Sequence, residues 1–425
     1  MFTLLRFVIL PEAGKKGFLN KEVAKISEKG SSSYQGVRVF RKLRSVRTYP
    51  GSSSTFLEIA FGCGYSALRI SCSTICLLRP SVEELLFCVM TITHSSLSRK
   101  PLGKNGPSVS SIGLGCMGMS DFYGSADEAE SLRTIHAALD AGINLLDTGD
   151  FYGMGHNEML LRQVLKERRD EAFVCVKFGG LRAPDSSFIG LDTRPVAVKN
   201  FLAYSLKRLG VDHIDLYQPA RVDPAVPIAD TIGAMVEMKE KGYIRYLGLS
   251  EAGPDTIRKA HAVHPIAALQ IEYSIVSRSI EERILPIVTE LGISITAYGV
   301  LSRGLLSSTP VVPDRSKGDF RALLPRFQPD NFKKNQLLVE ALSTIAKRKQ
   351  CSLAELAIAW VCARGPEIIP LVGARKVARL EEALRARAVK LSSADLAEID
   401  QAVPPGSVAG DRYAAEQMAI LDSER

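Results

Sequence analysis

From about residue 110 onward, short runs of apolar and β-branched residues alternate with longer stretches whose apolar positions recur at helical spacing. The apolar runs predict strands at 111–116, 143–147, 172–177, 214–218, 244–249, 267–271, 293–297 and 368–372. The amphipathic stretches predict helices near 127–141, 157–169, 195–209, 228–241, 254–263, 279–291, 352–364 and 376–386. Glycines end the first and third helices at Gly142 and Gly210, and Pro195 stands in the first turn of the third helix.

About eight strands that alternate with helices predict an α/β fold, a closed parallel (β/α)8 TIM barrel. An open, doubly wound sheet is the alternative, but it would need fewer units and usually a second domain. The proline-rich stretch 302–335 follows the seventh predicted strand. In a barrel it becomes a loop on the face where active sites form.

The glycines Gly113, Gly115 and Gly118 satisfy the G-x-G-x-x-G pattern of dinucleotide-binding Rossmann folds. That pattern requires a helix at the third glycine and an acidic residue at the end of the second strand. Here several residues separate Gly118 from the next helix, and the acid nearest the expected spacing, Asp140, falls inside that helix. The motif therefore does not favour a Rossmann fold.

Residues 1–89 differ from the rest of the chain. They hold 13 Lys and Arg against 6 Glu and no Asp, a net charge of +7, with runs of serine and no periodicity. A basic, Ser-rich segment is typical of a transit peptide, although Glu12, Glu22 and Glu28 argue against one; the other interpretation is a non-native extension from an upstream reading frame. We expect a poorly structured extension, disordered or non-native, at 1–89 and the barrel at 90–425. The expected location is cytoplasmic, or an organelle if 1–89 is a transit peptide.

Composition narrows the function classes of the barrel segment. Hydrophobic residues make up 46% and charged residues 24% of the chain, which is ordinary for a globular protein. Residues 90–425 carry 41 Lys and Arg against 40 Asp and Glu, so no nucleic-acid footprint is expected. Charged residues interrupt the most apolar stretch, 56–90, so no membrane span is predicted. The cysteines form no CxxC pair, and no metal site is predicted. The pattern does not decide the oligomeric state.

Three polar residues follow neighbouring strand ends, where barrel enzymes place their chemistry. Asp147 ends the second predicted strand, Tyr152 lies in the loop behind it, and Lys177 ends the third. A phenol has a pKa near 10 and is a weak acid at neutral pH. A nearby ammonium would lower that pKa, and a carboxylate would hold the ammonium charged. The three residues predict a proton-donating unit, although a simple ion pair with a packed tyrosine is the structural alternative.

Several motifs, in order, resemble the signature of the aldo-keto reductase family. They are LLDTGDFYG at 145–153 with Asn157-Glu158, then Lys177, VDHIDLY at 211–217, GYIRYLGLSE at 242–251, QIEYS at 270–274 and Ala297-Tyr298. The resemblance covers about residues 105–405. It implies a (β/α)8 barrel that reduces a small-molecule carbonyl substrate with NADPH. Tyr152 resembles the general acid, Lys177 the residue that lowers its pKa, and Asp147 the residue that orients the lysine.

The resemblance also implies a cofactor site. Tyr298 matches the residue that stacks on the nicotinamide ring, and Ser250 and Gln270 match those that hydrogen-bond its carboxamide. Ser302 and Arg303, with Gly304, would lie near the pyrophosphate.

The last predicted strand ends at Gly373 and leads into a basic helix. Helix amino termini favour phosphate, and Arg375 and Arg379 lie one turn apart, where they could hold a 2′-phosphate. This favours NADP over NAD, although a solvated basic face is the alternative. Glu382 resembles the family's adenine contact, but Ala383 stands where the family has Asn.

One departure concerns the substrate oxygen. The family has His at the position of Ala220, and alanine offers no hydrogen-bond donor. Gln218 shares its strand face and Arg221 follows it, so either is a candidate replacement. The segment around Ala220 resembles the pyridoxal-reductase branch, which suggests a pyridoxal-like aldehyde. The leading interpretation is NADPH-dependent carbonyl reduction; the alternative is an NADPH-binding redox sensor or regulatory subunit with little turnover.

Overall fold

The structure is a computed structural model that describes residues 97–120, 122–308, 313–314 and 318–425. Of the residues before these, it describes the backbone of five short strands. The chain divides into two compact units, Met1–Ser95 and Ser96–Arg425.

Within the first unit, Leu5–Val8 pairs antiparallel with Phe87–Met90. Leu43–Pro50, Thr55–Phe61 and Leu68–Cys72 form a three-stranded antiparallel sheet. Apart from these strands, the interpretation of 1–89 as disordered or non-native falls outside the described residues and stays a prediction.

The second unit is built on a closed barrel of eight parallel strands in chain order. The strands are β1 (Gly113–Gly115), β2 (Leu145–Gly149), β3 (Phe173–Phe178), β4 (Ile214–Pro219), β5 (Ile244–Ser250), β6 (Ala268–Glu272), β7 (Ser294–Tyr298) and β8 (Ile368–Gly373). All eight predicted strands are confirmed. The predicted closed barrel is confirmed as well, and the open-sheet alternative is wrong.

Helices surround the barrel. They are α1 (Glu128–Asp140), α2 (His156–Arg168), α3 (Pro195–Leu209), α4 (Ile228–Glu240), α5 (Pro254–Val263), α6 (Ile280–Arg283), α7 (Leu285–Leu291), α8 (Pro329–Arg348), α9 (Leu353–Ala363), α10 (Val377–Arg385), α11 (Ser393–Ala402) and α12 (Ala415–Ala419). Short 3-10 segments occur at Met117–Met119, Tyr152–Gly155, Arg169–Glu171, Ser302–Gly304, Phe320–Leu323, Pro325–Phe327, Ala386–Ala388 and Asp422–Glu424. The predicted left-handed glycine at the end of α3 is confirmed, with Gly210 at φ 69°.

Two predicted segments differ from the structure. The stretch predicted as loop to residue 335 gives way at Pro329 to the 20-residue helix α8. A proline inside a helix would interrupt it, but Pro329 lies in the first turn, where its missing N–H costs nothing. The helix predicted at 279–291 is two helices, α6 and α7, and Pro286 lies in the first turn of the second.

Among the described residues, side-chain alternation along the strands divides the barrel core into two clusters, and Leu305, Leu324 and Phe327 form a third, smaller one. Leu145, Cys175, Leu216, Ala268 and Leu371 face the barrel interior, and their neighbours along the strands pack against the helices. The hairpin of Arg99–Pro101 and Ser108–Ser110 adds Leu102 and Val109 to the interior cluster. We infer that this hairpin covers the amino end of the barrel, since it shares the interior cluster with the strands.

Candidate active site

The period of two along each strand brings the predicted polar residues to one place. Asp147 lies two residues beyond the interior Leu145, Lys177 two beyond Cys175, and Gln270 two beyond Ala268. Their side chains therefore point into the barrel at its carboxyl end. Strand pairing sets Lys177 opposite Gln218 on β4, and Ser250 on β5 opposite Gln270 on β6.

A buried ion pair lies at the centre of this end. The Lys177 Nζ donates to both carboxylate oxygens of Asp147 at 2.7 Å. Asp147 is 5% and Lys177 3% exposed. The Gln270 Nε2 donates to Oδ1 of the same carboxylate at 2.7 Å. Burial without these donors would be costly for a carboxylate, so the three side chains fix one another.

Tyr152 lies beside this pair in a tight loop. Gly153, Met154 and Gly155 have φ values of 54°, 51° and 94°, so the chain turns sharply behind it. The tyrosine is 6% exposed, and its ring centroid lies 5.1 Å from the Lys177 Nζ. The structure thus brings Asp147, Tyr152 and Lys177 together as predicted from the sequence.

The pKa of Tyr152 differs from the expectation. Burial raises it well above its ordinary value of 10, the negative charge of Asp147 raises it further, and Arg221 opposes the rise. The sequence predicts instead that Lys177 lowers the pKa of Tyr152. Since both oxygens of Asp147 bind the Lys177 ammonium, the pair presents little net positive charge to the phenol.

The predicted nicotinamide contacts lie on β5 to β7. The hydroxyls of Ser250 and Ser302 are buried and have no hydrogen-bond partner among the described residues. Tyr298 is half-buried at the end of β7, and its hydroxyl lies 3.0 Å from that of Tyr413. Arg303 is buried and donates to the Glu272 Oε2 at 2.8 Å. Ser302 and Arg303 both have a positive φ, 44° and 54°, which costs energy for residues with a Cβ and is typical of functional loops.

The predicted phosphate-binding residues form a separate group at the end of β8. Gly373 is exposed, and a Cβ there would meet nothing within 4 Å. The Arg375 Nη1 donates to the carbonyl oxygens of Tyr123 and Ser125 at 3.2 and 3.1 Å.

Acidic side chains already lie against this group. Arg379 donates to the Glu382 Oε2 at 2.8 Å, and the Ser308 hydroxyl donates to Oε1 at 2.5 Å. The Glu130 carboxylate accepts from the Val377 N–H at 3.1 Å, so an anionic group occupies the amino terminus of α10. The sequence pattern does not predict that these carboxylates compete with a phosphate for the same donors.

An ionic cluster that sequence reasoning missed surrounds the carboxyl end. Arg412 donates to the Glu251 carboxylate at 2.9 and 2.5 Å, and Glu272 pairs with Arg303 and Arg326. Burial alone would raise the pKa of Glu251, but Arg412 holds it at about 2. Glu272 ends β6 and Glu251 directly follows β5, and this placement was an available signal because an acid at a strand end of the barrel needs a buried partner. No pattern pointed to Arg412, more than 150 positions away.

Ala220 and its two candidate replacements, Gln218 and Arg221, lie at the carboxyl end of β4. Ala220 is buried, and its N–H donates to the Phe178 carbonyl oxygen at 2.8 Å. Gln218 is fully buried, and in the part of the chain that the structure describes neither its amide nitrogen nor its amide oxygen has a hydrogen-bond partner. The Arg221 Nη2 donates to the Tyr413 hydroxyl at 3.3 Å.

Two further acids are buried behind the Tyr152 loop. Burial, together with the nearby Glu158, raises the pKa of Asp150 to about 8. Burial also raises the pKa of Glu158, although it contacts Arg208 at 2.5 Å. In the described part of the chain, no helix is both long and apolar enough to cross a membrane, and no three potential ligand side chains gather into a metal site.

Comparison with known proteins gives consistent matches. The model of the aldo/keto reductase family matches residues 111–404. The chain is 41% identical over 326 residues to a probable aldo-keto reductase 1 of Glycine max, covering 76% of this chain and 93% of that protein. A glycerol dehydrogenase of Gluconobacter oxydans matches with TM-score 0.65 and 30% identity, over 73% of this chain and 95% of its own. An aldo-keto reductase of Bacillus halodurans in its holo form matches with TM-score 0.61 and 29% identity, over 72% and 96%.

Proposed function

The chain belongs to the aldo/keto reductase family, and from that premise we propose that it reduces a small aldehyde or ketone to the alcohol with NADPH. The observation that carries this proposal is the buried Asp147–Lys177 pair beside the Tyr152 phenol at the carboxyl end of the barrel. When bound, NADPH would supply the hydride for the carbonyl carbon and be left as NADP⁺, and Tyr152 would donate a proton to the carbonyl oxygen.

Tyr152 is suited to hold this proton until it is needed. Because burial raises its pKa, the phenol stays protonated at neutral pH. When hydride adds to the carbonyl carbon, the C=O π electron pair moves onto the oxygen. The oxygen becomes alkoxide-like, and an alkoxide is a far stronger base than a phenolate. Proton transfer is therefore favourable at that moment, when general acid catalysis counts. Arg221, the cation that opposes the rise in the pKa of Tyr152, would then stabilise the phenolate until water returns the proton.

The side chains present fit a nicotinamide cofactor. Buried hydroxyls without a partner are rare and costly, so the free hydroxyls of Ser250 and Ser302 support a polar ligand there. Ser250 and Gln270 would hold the carboxamide, Tyr298 the face of the ring, and Ser302 and Arg303 the pyrophosphate.

At the far end, Arg375 and Arg379 would hold the 2′-phosphate of NADP and Glu382 the adenine. This assignment requires Arg379 to exchange its bond with Glu382 for one to phosphate. NADPH should therefore bind more tightly than NADH, and Arg375→Met should narrow the difference.

For the substrate, we propose an activated aldehyde of the pyridoxal type. The donor missing at Ala220 matters least when the carbonyl is already electrophilic. The Gluconobacter oxydans neighbour is named a glycerol dehydrogenase, so glyceraldehyde belongs in the same panel.

The test is NADPH consumption by the full chain with pyridoxal, glyceraldehyde and a simple aromatic aldehyde, compared with Tyr152→Phe. We expect turnover by the parent and a loss of about 10²–10⁴ in rate for the variant. If both proteins bind NADPH and neither consumes it, the redox-sensor alternative replaces the reductase. Equal efficiency with all three aldehydes would contradict the proposed pyridoxal-type substrate but not the proposed reductase activity.

A further inference from the structure

The end of β4 lacks a donor but is followed at once by a cation. Ala220 continues the pairing with β3 through its N–H, and its methyl side chain can donate no hydrogen bond. The Arg221 Nη1 folds back to the Ala220 carbonyl oxygen at 2.6 Å, so the guanidinium stays at this strand end. A guanidinium carries five N–H donors, more than these contacts use.

Arg221 differs from the other arginines gathered here. Arg303, Arg326 and Arg412 each form an ion pair with Glu251 or Glu272. Arg221 bonds only the Ala220 carbonyl and the Tyr413 hydroxyl, and it forms no ion pair with any carboxylate of the described residues. Arg221 is half-buried, and charges that are partly removed from water are normally paired. A cation without a carboxylate partner at this position is suited to negative charge that arises during a reaction.

Tyr413 connects Arg221 to the nicotinamide-stacking position. Its hydroxyl lies 3.0 Å from that of Tyr298, and the Arg303 guanidinium carbon lies 4.6 Å from its ring centroid. Burial would raise the pKa of Tyr413, but Arg303 and Arg221 lower it below its ordinary value of 10. A more acidic phenol is a stronger hydrogen-bond donor.

The same guanidinium acts electrostatically on the proposed acid. Burial and Asp147 raise the pKa of Tyr152, and Arg221 is the cation that opposes them most. Arg221 also opposes the rise in the pKa of Tyr298 that burial and Glu251 cause. Its positive charge therefore acts on both tyrosines, and the Tyr413 hydroxyl that it holds lies 3.0 Å from the Tyr298 hydroxyl.

We propose that Arg221 and the Tyr413 hydroxyl that it holds donate hydrogen bonds to the carbonyl oxygen of the substrate, in place of the donor absent at Ala220. This inference rests on the proposed function. The two donors polarise the carbonyl before the hydride arrives and stabilise the oxygen while it carries negative charge. Loss of a donor of this kind costs about 10²–10³ in rate.

The test measures kcat, KM and the dissociation constant of NADPH for Arg221→Met and Tyr413→Phe in the full chain. The dissociation constant comes from the change in nicotinamide fluorescence on binding. The matched control is Arg245→Met at the amino end of β5, where an exposed guanidinium lies 3.6 Å from Asp215. We expect kcat to fall by about 10²–10³ for Arg221→Met and less for Tyr413→Phe, with NADPH binding almost unchanged. The control should match the parent.

A second comparison separates chemistry from folding. Arg221→Lys keeps the charge and should retain more activity than Arg221→Met. In an Ala220→His background, the introduced donor should make Arg221→Met less damaging than it is in the parent.

Three outcomes would overturn the inference. An unchanged kcat for Arg221→Met overturns it and leaves the proposed function intact, provided that Tyr152→Phe is impaired. Weaker NADPH binding with normal kcat at saturation assigns the pair to the cofactor instead. A parent protein that consumes no NADPH with any carbonyl overturns both proposals.

Discussion

Replacement of Lys177 by methionine should destabilise the barrel strongly, because it leaves the Asp147 carboxylate charged and buried. Both groups are at most 5% exposed, and the ammonium contacts both oxygens at 2.7 Å. Of the described side chains, only the Gln270 amide would still donate a hydrogen bond to the Asp147 carboxylate. Removal of one partner from a buried pair costs about 3–5 kcal/mol, whereas removal of both charges is often nearly neutral. The double variant Asp147→Asn/Lys177→Met should therefore be more stable than Lys177→Met.

Trp360 provides the assay. It is the single tryptophan of the chain and is fully buried in α9, so its fluorescence during urea unfolding reports on the barrel unit. The matched control is Lys199→Met, which breaks the exposed Lys199–Glu237 pair on α3 and α4 and should change stability little. A loss below about 1 kcal/mol for Lys177→Met, or a double variant no more stable than Lys177→Met, would refute the reasoning.

Two further predictions concern buried titratable groups. Asp150 has a pKa of about 8 in the folded chain against an ordinary 3.8, so folding becomes less favourable as pH rises through this window. The stability gained by Asp150→Asn should grow between about pH 4 and pH 8, by at most about 1.4 kcal/mol per pH unit, and then level off; a pH-independent difference in urea unfolding contradicts this. Burial raises the pKa of the Cys116, Cys175, Cys351 and Cys362 thiols, but Cys116 and Cys175 are buried whereas Cys351 and Cys362 are partly exposed. At neutral pH in the native protein, iodoacetamide should therefore modify Cys116 and Cys175 more slowly than Cys351 and Cys362. Peptide mass spectrometry measures the order, and equal labelling contradicts the prediction.

The strands were predictable because barrel strands are buried on both faces and read as short apolar runs. The predicted ends fall short where polar residues take over. Gln270 and Glu272 pair with Thr296 and Tyr298 in the same ladder, yet Glu272 and Tyr298 lie beyond the apolar runs. The polar side chains that end the hydrophobic pattern are the ones that form the site. The predicted strands therefore end too early at the same residues that form the candidate active site.

The contacts with the C-terminal segment could not be predicted in this way. Arg412 and Tyr413 lie in a stretch without periodicity, and their partners Glu251, Tyr298 and Arg221 are distant in the sequence. The sequence predicts that Asp147 pairs with Lys177, but it does not predict that the carboxylate raises the pKa of the Tyr152 phenol. The effect of Asp147 on the phenol depends on a geometry in which both oxygens bind one ammonium.

A single turnover tests the role of Tyr152 most directly, because it isolates the chemical step from product release. Protein loaded with NADPH is mixed with a saturating aldehyde, and the loss of nicotinamide absorbance is followed for the parent and for Tyr152→Phe. We predict that the variant binds NADPH like the parent but oxidises it about 10²–10⁴ times more slowly. Equal rates in the two proteins would show that another group donates the proton, and would contradict the account.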